Sequence, residues 1–559
     1  MERSACLRVG PFALLVLLFL VAGRGSAQEV EALRVPGAGP ATLDPTAAEW
    51  AADSGEAASV QPMGVDEAVA LSLQYNLRVE VERFSPMIAA ADQEGAWGAY
   101  DPVIAADFMY DVQKAPNTFT LNDRASSVNR VRGGGVGVDQ LLPYIGATLG
   151  IRFDGSASTT NSTLQSLSPQ FDTSVFLTAT VPLARDLIWN ESWTRVKVRA
   201  SQYLAARESF RTSVMDTTQS TVDAYWELVA ASEQVRVARK SLETALALLE
   251  QSKTQYEVGV VSRVDLVEAE AGVAEREFDL ITATNRARNV QDRLIDLALG
   301  TELKSTTDLR IVPTEDPETY QLRTVDVARA VEVAFQQRPE LQVADREIEQ
   351  GKLDLRFAKN QRLPELDVGV RYGFVGISGE ANDDCCSFGP PPTDFGNFDQ
   401  STDDFFRDDG ADNVRVTGTF SIPFPNTTAR KRVTRSKIEL RRSKTRRARV
   451  EQDIILGVRE AARTLKASEQ GIEAAERRRL AAEEQLRAER IRLEHGESTP
   501  FEVLQRQSDL VDAESQKIGA LRAYRAAETA LERAQGTILD FYKVRIEEAR
   551  EPVGSDWER

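Results

Sequence analysis

The sequence predicts an α+β membrane protein built by internal duplication, in which alternating strands are followed by helices far longer than a globular domain uses. Three observations carry this. The hydrophobic segment holding Ala68 and Pro102 recurs with Ala330 and Pro364, at an interval of 262 residues in both cases (68 to 330, 102 to 364). Each copy contains stretches in which apolar and polar residues alternate, the period of a strand. Each then keeps a helical period for roughly 70 residues, which at 1.5 Å per residue is on the order of 100 Å.

At the N-terminus, Arg3 and Arg8 precede an apolar run from Phe12 to Ala22, and Gly25 and Ala27 stand before Gln28, the pattern of a cleavable secretory signal over residues 1–27. Residues 28–61 are rich in Ala, Pro, Gly and Glu without period and read as a flexible leader. The first repeat is placed at 62–310, the second at 311–540 and a C-terminal tail at 541–559. No later stretch approaches the roughly 20 apolar residues a spanning helix needs, so any membrane passage is by strands. Cys6 precedes the apolar run rather than the cleavage point, which argues against a lipid anchor. Only Cys385 and Cys386 remain after it, which excludes a disulfide framework and leaves their own pairing open. A net charge of −18 is the wrong sign for a general nucleic-acid binder.

Each copy opens with a short helix led by Val65-Asp66-Glu67-Ala68 or Val327-Ala328-Arg329-Ala330, then a helix up to the proline, then strands. Alternation is cleanest in copy two: Leu366, Val368, Val370, Tyr372 and Phe374 share one face, and Asp367, Gly369, Arg371 and Gly373 the other. Val414, Val416, Phe420 and Ile422 repeat it against Arg415, Thr417, Thr419 and Ser421. Copy one offers Val175, Leu177, Ala179 and Val181 against Ser174, Phe176, Thr178 and Thr180, and its opening strand Val103–Tyr110 is less regular. Such segments fit a membrane barrel wall, apolar outside and polar toward a lumen; taken alone they fit a half-buried soluble sheet equally. Copy one also has a hairpin without a counterpart, in which Val136-Gly137-Val138 and Ala147, Leu149, Ile151 and Phe153 flank Leu142-Pro143-Tyr144-Ile145-Gly146. The chain therefore supplies four strands, or six if this hairpin joins the sheet. Neither number closes a wide barrel, and an open edge in hydrocarbon leaves backbone groups unpaired, so the strands require oligomerisation.

Helical period begins after Pro182 and again after Pro423. Val235, Ala238, Leu242, Ala245 and Leu249 keep spacings of three and four, and Val264, Val267, Ala271, Ala274, Phe278 and Ile281 keep them on the return limb, predicting the seam of an antiparallel coiled coil. Copy two is more charged but retains Leu504, Val511 and Ile518 at sevens. The turns, Tyr256 to Asp265 and Leu493 to Glu502, both place Gly at the helix stop. Ser262 with Asp265 and Thr499 with Glu502 predict capping boxes, and Pro500 takes the favoured first helical position.

From about Met63 to Thr537 the chain resembles the TolC-type outer-membrane efflux proteins, on the duplicated layout, the strand-ending Pro182 and Pro423, and the pattern Gly259…Ser262…Asp265-Leu266-Val267-Glu268-Ala269. The resemblance implies a homotrimer whose strands jointly form one outer-membrane barrel, in contact with outer-membrane lipid, and whose helices continue as a tapered tunnel through the periplasm. It implies an exit duct of a tripartite efflux or type I secretion system, fed by an inner-membrane pump and a periplasmic adaptor (membrane fusion) protein. The adaptor's tips would meet Val258, Gly259, Val260 and Val261 in copy one and His495, Gly496, Glu497 and Ser498 in copy two, where His495 and Glu497 depart from the family's apolar pattern. The constriction of the closed entrance falls on Glu502 and Gln505, with Asp265 and Glu268 at the equivalent first-copy positions. For Asp265 and Glu502 simple helix capping is the competing role, and the two are compatible. A basic residue that restrains the closed state in some members aligns with Ser498, so that lock is absent.

Other chemistries find little to build on. His495 is the only histidine, no Gly-rich phosphate loop is present, and neither a catalytic site, a metal site nor a cofactor is predicted, so the chain does not read as an enzyme. The basic run from Arg430 to Arg449 begins directly after the strands, which suits anionic lipid headgroups or a solvated helix face and not nucleic acid. The acidic segment Gly379–Asp412 reads as an external loop, solvated rather than calcium-binding. A structural periplasmic coiled coil without channel activity is the alternative function; an adaptor fits the hairpins but not the duplicated strands.

Overall fold

The computed structural model describes residues 59–116, 126–163, 165–259, 261–300, 309–383, 385, 396–403, 405 and 411–546. The secretory signal, the leader up to residue 58, Val260, Cys386 and tail residues 547–559 lie outside them. Copy one runs β1 (Ser59–Met63), α1 (Val65–Tyr75), α2 (Leu77–Trp97), β2 (Val103–Pro116), β3 (Ser126–Leu141), β4 (Thr148–Thr160), β5 (Leu167–Pro182), α3 (Glu191–Glu257), α4 (Arg263–Leu299) and β6 (Leu309–Pro313). Copy two runs α5 (Val327–Gln337), α6 (Pro339–Asn360), β7 (Glu365–Ala381), α7 (Phe398–Asp403), β8 (Ala411–Ser421), α8 (Thr427–Glu494), α9 (Pro500–Gln535) and α10 (Ile538–Phe541).

The extra hairpin joins the sheet. Its six antiparallel strands run in the order β2-β3-β4-β5-β7-β8, so both copies share one sheet whose two edges, β2 and β8, come from opposite copies. Leu142 N–H to Ala147 O, 2.7 Å, closes the β3–β4 turn.

Below the sheet, α3 and α8 are 67 and 68 residues long, each about 100 Å at the helical rise. Asn190 starts α3 by accepting the Trp193 amide (2.8 Å), which satisfies an otherwise orphan donor. Along its length α3 packs on α2, α4, α6 and α9, whereas α8 packs on α6 and α9. This leaves α2 and α4 at one margin of the protomer and α8 at the other. No described helix is long and apolar enough to cross a membrane.

Two cores sit midway along the long helices. Around α1, Val69, Leu73, Val214, Tyr225, Leu228, Leu294 and Ile311 pack together, and Ile538, Leu539 and Val544 from the chain's end join them. Around α5, Ala334, Ile454, Val458, Leu465, Tyr524 and Leu531 form the counterpart. The parallel pair β1–β6 belongs to the first core, with Tyr225 Oη donating to Met63 O (3.1 Å). Neither this pair nor α7 shows in the periodic pattern of the sequence.

One expectation is corrected. The stripe Val264, Val267, Ala271, Ala274, Phe278 and Ile281 is not the intrachain seam, because all six are exposed, Phe278 at 68%. The buried face of α4 is Ala269, Val273, Arg276, Leu280, Ala283, Ala287, Val290 and Leu294, also at spacings of three and four, with Ala231 and Val235 of α3 packed against it. A heptad pattern marks a stripe as apolar without saying which helix covers it. Arg276, buried and bonded to Asp279 (2.9 Å), interrupts the true seam and disguises it.

Candidate functional site

The two faces of the sheet differ in chemistry. Ile104, Val138, Ile151, Leu177, Tyr372 and Val414 are successive register partners across all six strands, an unbroken apolar row. A second row runs Ala106, Val136, Phe153, Val175 and Phe374. On the opposite face stand Asp107, Asp139, Arg152, Asp154, Thr178, Arg371 and Arg415, with Arg152 held by Asp107 and by Asp154 (2.8 Å). Apolar side chains continue to the base of the sheet at Leu183, Ile188, Leu363, Ile422 and Phe424, the last 97% exposed. Ile104, Val136, Ile151, Leu177, Tyr372 and Val414 are exposed, and an exposed apolar band across a sheet is what hydrocarbon contact requires.

The external segment between β7 and β8 does not merely project. Its helix α7 folds back on the sheet, where Thr173 Oγ1 donates to Ser401 O (2.9 Å) and Phe398 and Phe405 pack against Phe171 and Phe153. Cys385 is disulfide-bonded.

At the far end, the two helices of the long pair stop with the same backbone angles. Val258 and His495 both have φ −88° and ψ 1°, and the residues after them, Gly259 (φ 79°) and Gly496 (φ 74°), are left-handed, as the helix-stop reading requires. Val258 is 71% exposed. Ser262 and Asp265 form the expected box, with Ser262 N–H to Asp265 Oδ2 at 2.8 Å and Asp265 N–H to Ser262 Oγ at 3.3 Å. Copy two forms only half of it: Thr499 Oγ1 accepts the Glu502 amide (3.4 Å), and the Glu502 carboxylate does not return the bond. Glu502 and Gln505 are instead exposed on one face of α9, while Glu268 is half-buried on α4. His495 Nδ1 donates to Ile491 O (2.7 Å), Glu497 N–H reaches Arg492 O (2.8 Å) and Ser498 donates to Glu489.

Residues 136–300 and 330–537 match the family described as outer membrane efflux protein, one block in each copy and each ending with a returning helix. The chain belongs to this family. It is therefore an outer-membrane transport protein rather than a member of an enzyme family. Solved structures show the same fold at low identity: the Campylobacter jejuni CmeC outer membrane channel (14% identical, 93% of this chain and 96% of that chain, TM-score 0.59) and CusC (14%, 84% and 92%, TM-score 0.61). The pyoverdine export outer membrane protein OpmQ of Pseudomonas putida is 24% identical over 155 residues. That match spans 28% of this chain and 32% of OpmQ, about a third of the relative's length.

In this efflux protein the two hairpins are joined by contacts the sequence did not reveal. Gln507 Nε2 of α9 donates to Ser241 O of α3 (2.9 Å), both residues being buried. Leu504 lies so close to Gly272 of α4 that a Cβ there would come within 2.8 Å of it. A glycine inside an otherwise alanine-rich helix was the available signal of that approach. Higher on α3, burial pushes the Asp223 carboxyl up to about 6, partly offset by a hydrogen bond from Gln219 and by Arg522, and its Oδ1 has no partner among the described residues. Glu476 goes the other way, down to about 2, through Arg479 and then Lys517 (3.0 Å), which ties α8 to α9.

Proposed function

We propose that three copies of this outer-membrane efflux protein assemble into one exit duct, a β-barrel in the outer membrane continuous with a helical tunnel through the periplasm. A periplasmic adaptor and an inner-membrane pump deliver substrate to it. The observation that carries the reading is the open six-stranded sheet with an apolar face and unpaired edges β2 and β8. Such edges are stable in hydrocarbon only when another chain closes them. Three such sheets make eighteen strands, within the range of about 16–18 that encloses an aqueous channel.

The helices support the same assembly. The same margin carries a second exposed apolar stripe on α2, Leu77, Val81, Phe84 and Ile88, so two apolar patches on it are left for another chain to cover. A neighbouring copy covers them with α8. The tips around Gly259 and Gly496 serve as the adaptor contact, and Glu502, supported by Gln505, Asp265 and Glu268, narrows the entrance. Basic residues at the start of α8, led by Arg430, Lys431 and Arg432, lie just below the apolar band and suit anionic headgroups.

Purified protein in detergent is the test. A complex three times the chain mass that conducts ions in planar bilayers supports the duct, whereas a monodisperse monomer with full strand content, or a non-conducting trimer, returns the protein to the structural coiled-coil reading.

A further inference from the structure

The polar face of the sheet holds two cations that nothing described in the chain neutralises. Arg371 on β7 and Arg415 on β8 are direct register partners, so their Cβ atoms stand roughly 5 Å apart on one face. Like charges placed opposite each other destabilise a strand pair. Among the described residues neither makes an ion pair. The Arg371 guanidinium lies 3.5 Å over the ring of Phe176 on β5, and its Nε is buried without a hydrogen-bond partner.

Arg152, on the same face, shows the contrast, since Asp107 and Asp154 grip it from two strands. The row through the arginine pair runs Asp139, Gly150, Thr178, Arg371, Arg415. Its one carboxylate stands three strands from Arg371, about 14 Å at the usual strand spacing, too far for direct contact. Beside the pair, a Cβ on Gly369 would meet nothing closer than 3.8 Å, so the surface there is open.

We propose that Arg371 and Arg415 form an anion-binding station on the inner wall of the barrel, which holds a carboxylate or phosphate group of a substrate in transit. Two guanidinium forks side by side suit bidentate recognition of such a group, and stacking on Phe176 fixes one of them in place. Three copies present six guanidiniums at one level of the barrel. The station rests on the duct reading and adds a ligand class to it.

Citrate is the probe, added to the barrel side of the trimer in planar bilayers and, separately, titrated calorimetrically into the detergent trimer. Wild-type protein binds citrate and is blocked by it, more strongly from the barrel side than from the tip side. Arg371→Gln with Arg415→Gln weakens both binding and block by roughly tenfold or more, and the Lys double variant retains part of both. Conductance with no citrate effect in wild type overturns the station. So does a Gln variant with unchanged block whose trimer dissociates earlier, because the arginines then serve the seam with Asp107 or Asp111 of a neighbouring β2. If wild type binds citrate through these arginines yet conducts nothing, the station stands and the duct falls.

Discussion

Asn76 and Arg338, 262 positions apart in the duplicated pattern (76 to 338), each donate a side-chain N–H to the last turn of their own copy's returning helix. Asn76 Nδ2 reaches Leu297 O at 3.0 Å, and Arg338 Nη1 reaches Ala534 O at 3.2 Å. Different side chains thus fill one structural role. Both satisfy helix-end carbonyls that would otherwise be orphaned. Asn76 also caps α2 by accepting the amides of Arg78 (2.9 Å) and Val79 (3.3 Å).

Asn76→Ala removes the cap and the Leu297 bond together, so a loss of about 1–2 kcal/mol is expected. Differential scanning calorimetry of the purified protein should show a lower Tm. Asn76→Asp keeps the cap but not the donated bond and should fall between.

Gly259 and Gly496 are left-handed with open space around them, so a side chain costs backbone strain of only about 1 kcal/mol each rather than a clash. The double substitution to a bulky residue should therefore abolish export in cells while membrane level and oligomer mass stay normal. Full export from such a well-inserted protein would count against docking through the tips.

Because the Glu502 carboxylate makes no capping bond, Glu502→Gln separates charge from structure. Cation selectivity and block by multivalent cations should fall in bilayer recordings, with stability within about 0.5 kcal/mol of wild type. Unchanged selectivity with earlier melting would make Glu502 a structural residue.

Asp223 gives a pH dependence of opposite sign to most carboxylates. Its folded pKa, about 6, lies above the unfolded value, so the folded protein binds the extra proton and this site is most favourable below about pH 4. That contribution is lost as pH rises from about 4 to 6, and above it the buried charge is a standing penalty. Asp223→Asn should raise Tm at pH 8 and leave it nearly unchanged at pH 4. An equal shift at both pH values would show that titration is not the cause.

The sequence alone determined the duplication, the long helices, the two glycine-stopped turns and the alternating strands. Each of these is a local or periodic property, written in side-chain order and turn chemistry. Tertiary structure decided which apolar stripe of α4 is covered, because Val264…Ile281 and Ala269…Leu294 carry the same spacing and only packing against α3 separates them. It also decided that the β3–β4 hairpin enters the sheet, that β1 pairs with β6, and that Glu502 leaves its cap open. The pairing of Arg371 with Arg415 belongs to the same class, since each strand reads as an ordinary alternation and only their register sets the two charges side by side. Contacts between segments far apart in the chain depend on register and on which faces meet, and neither is encoded in the local pattern of one strand or helix.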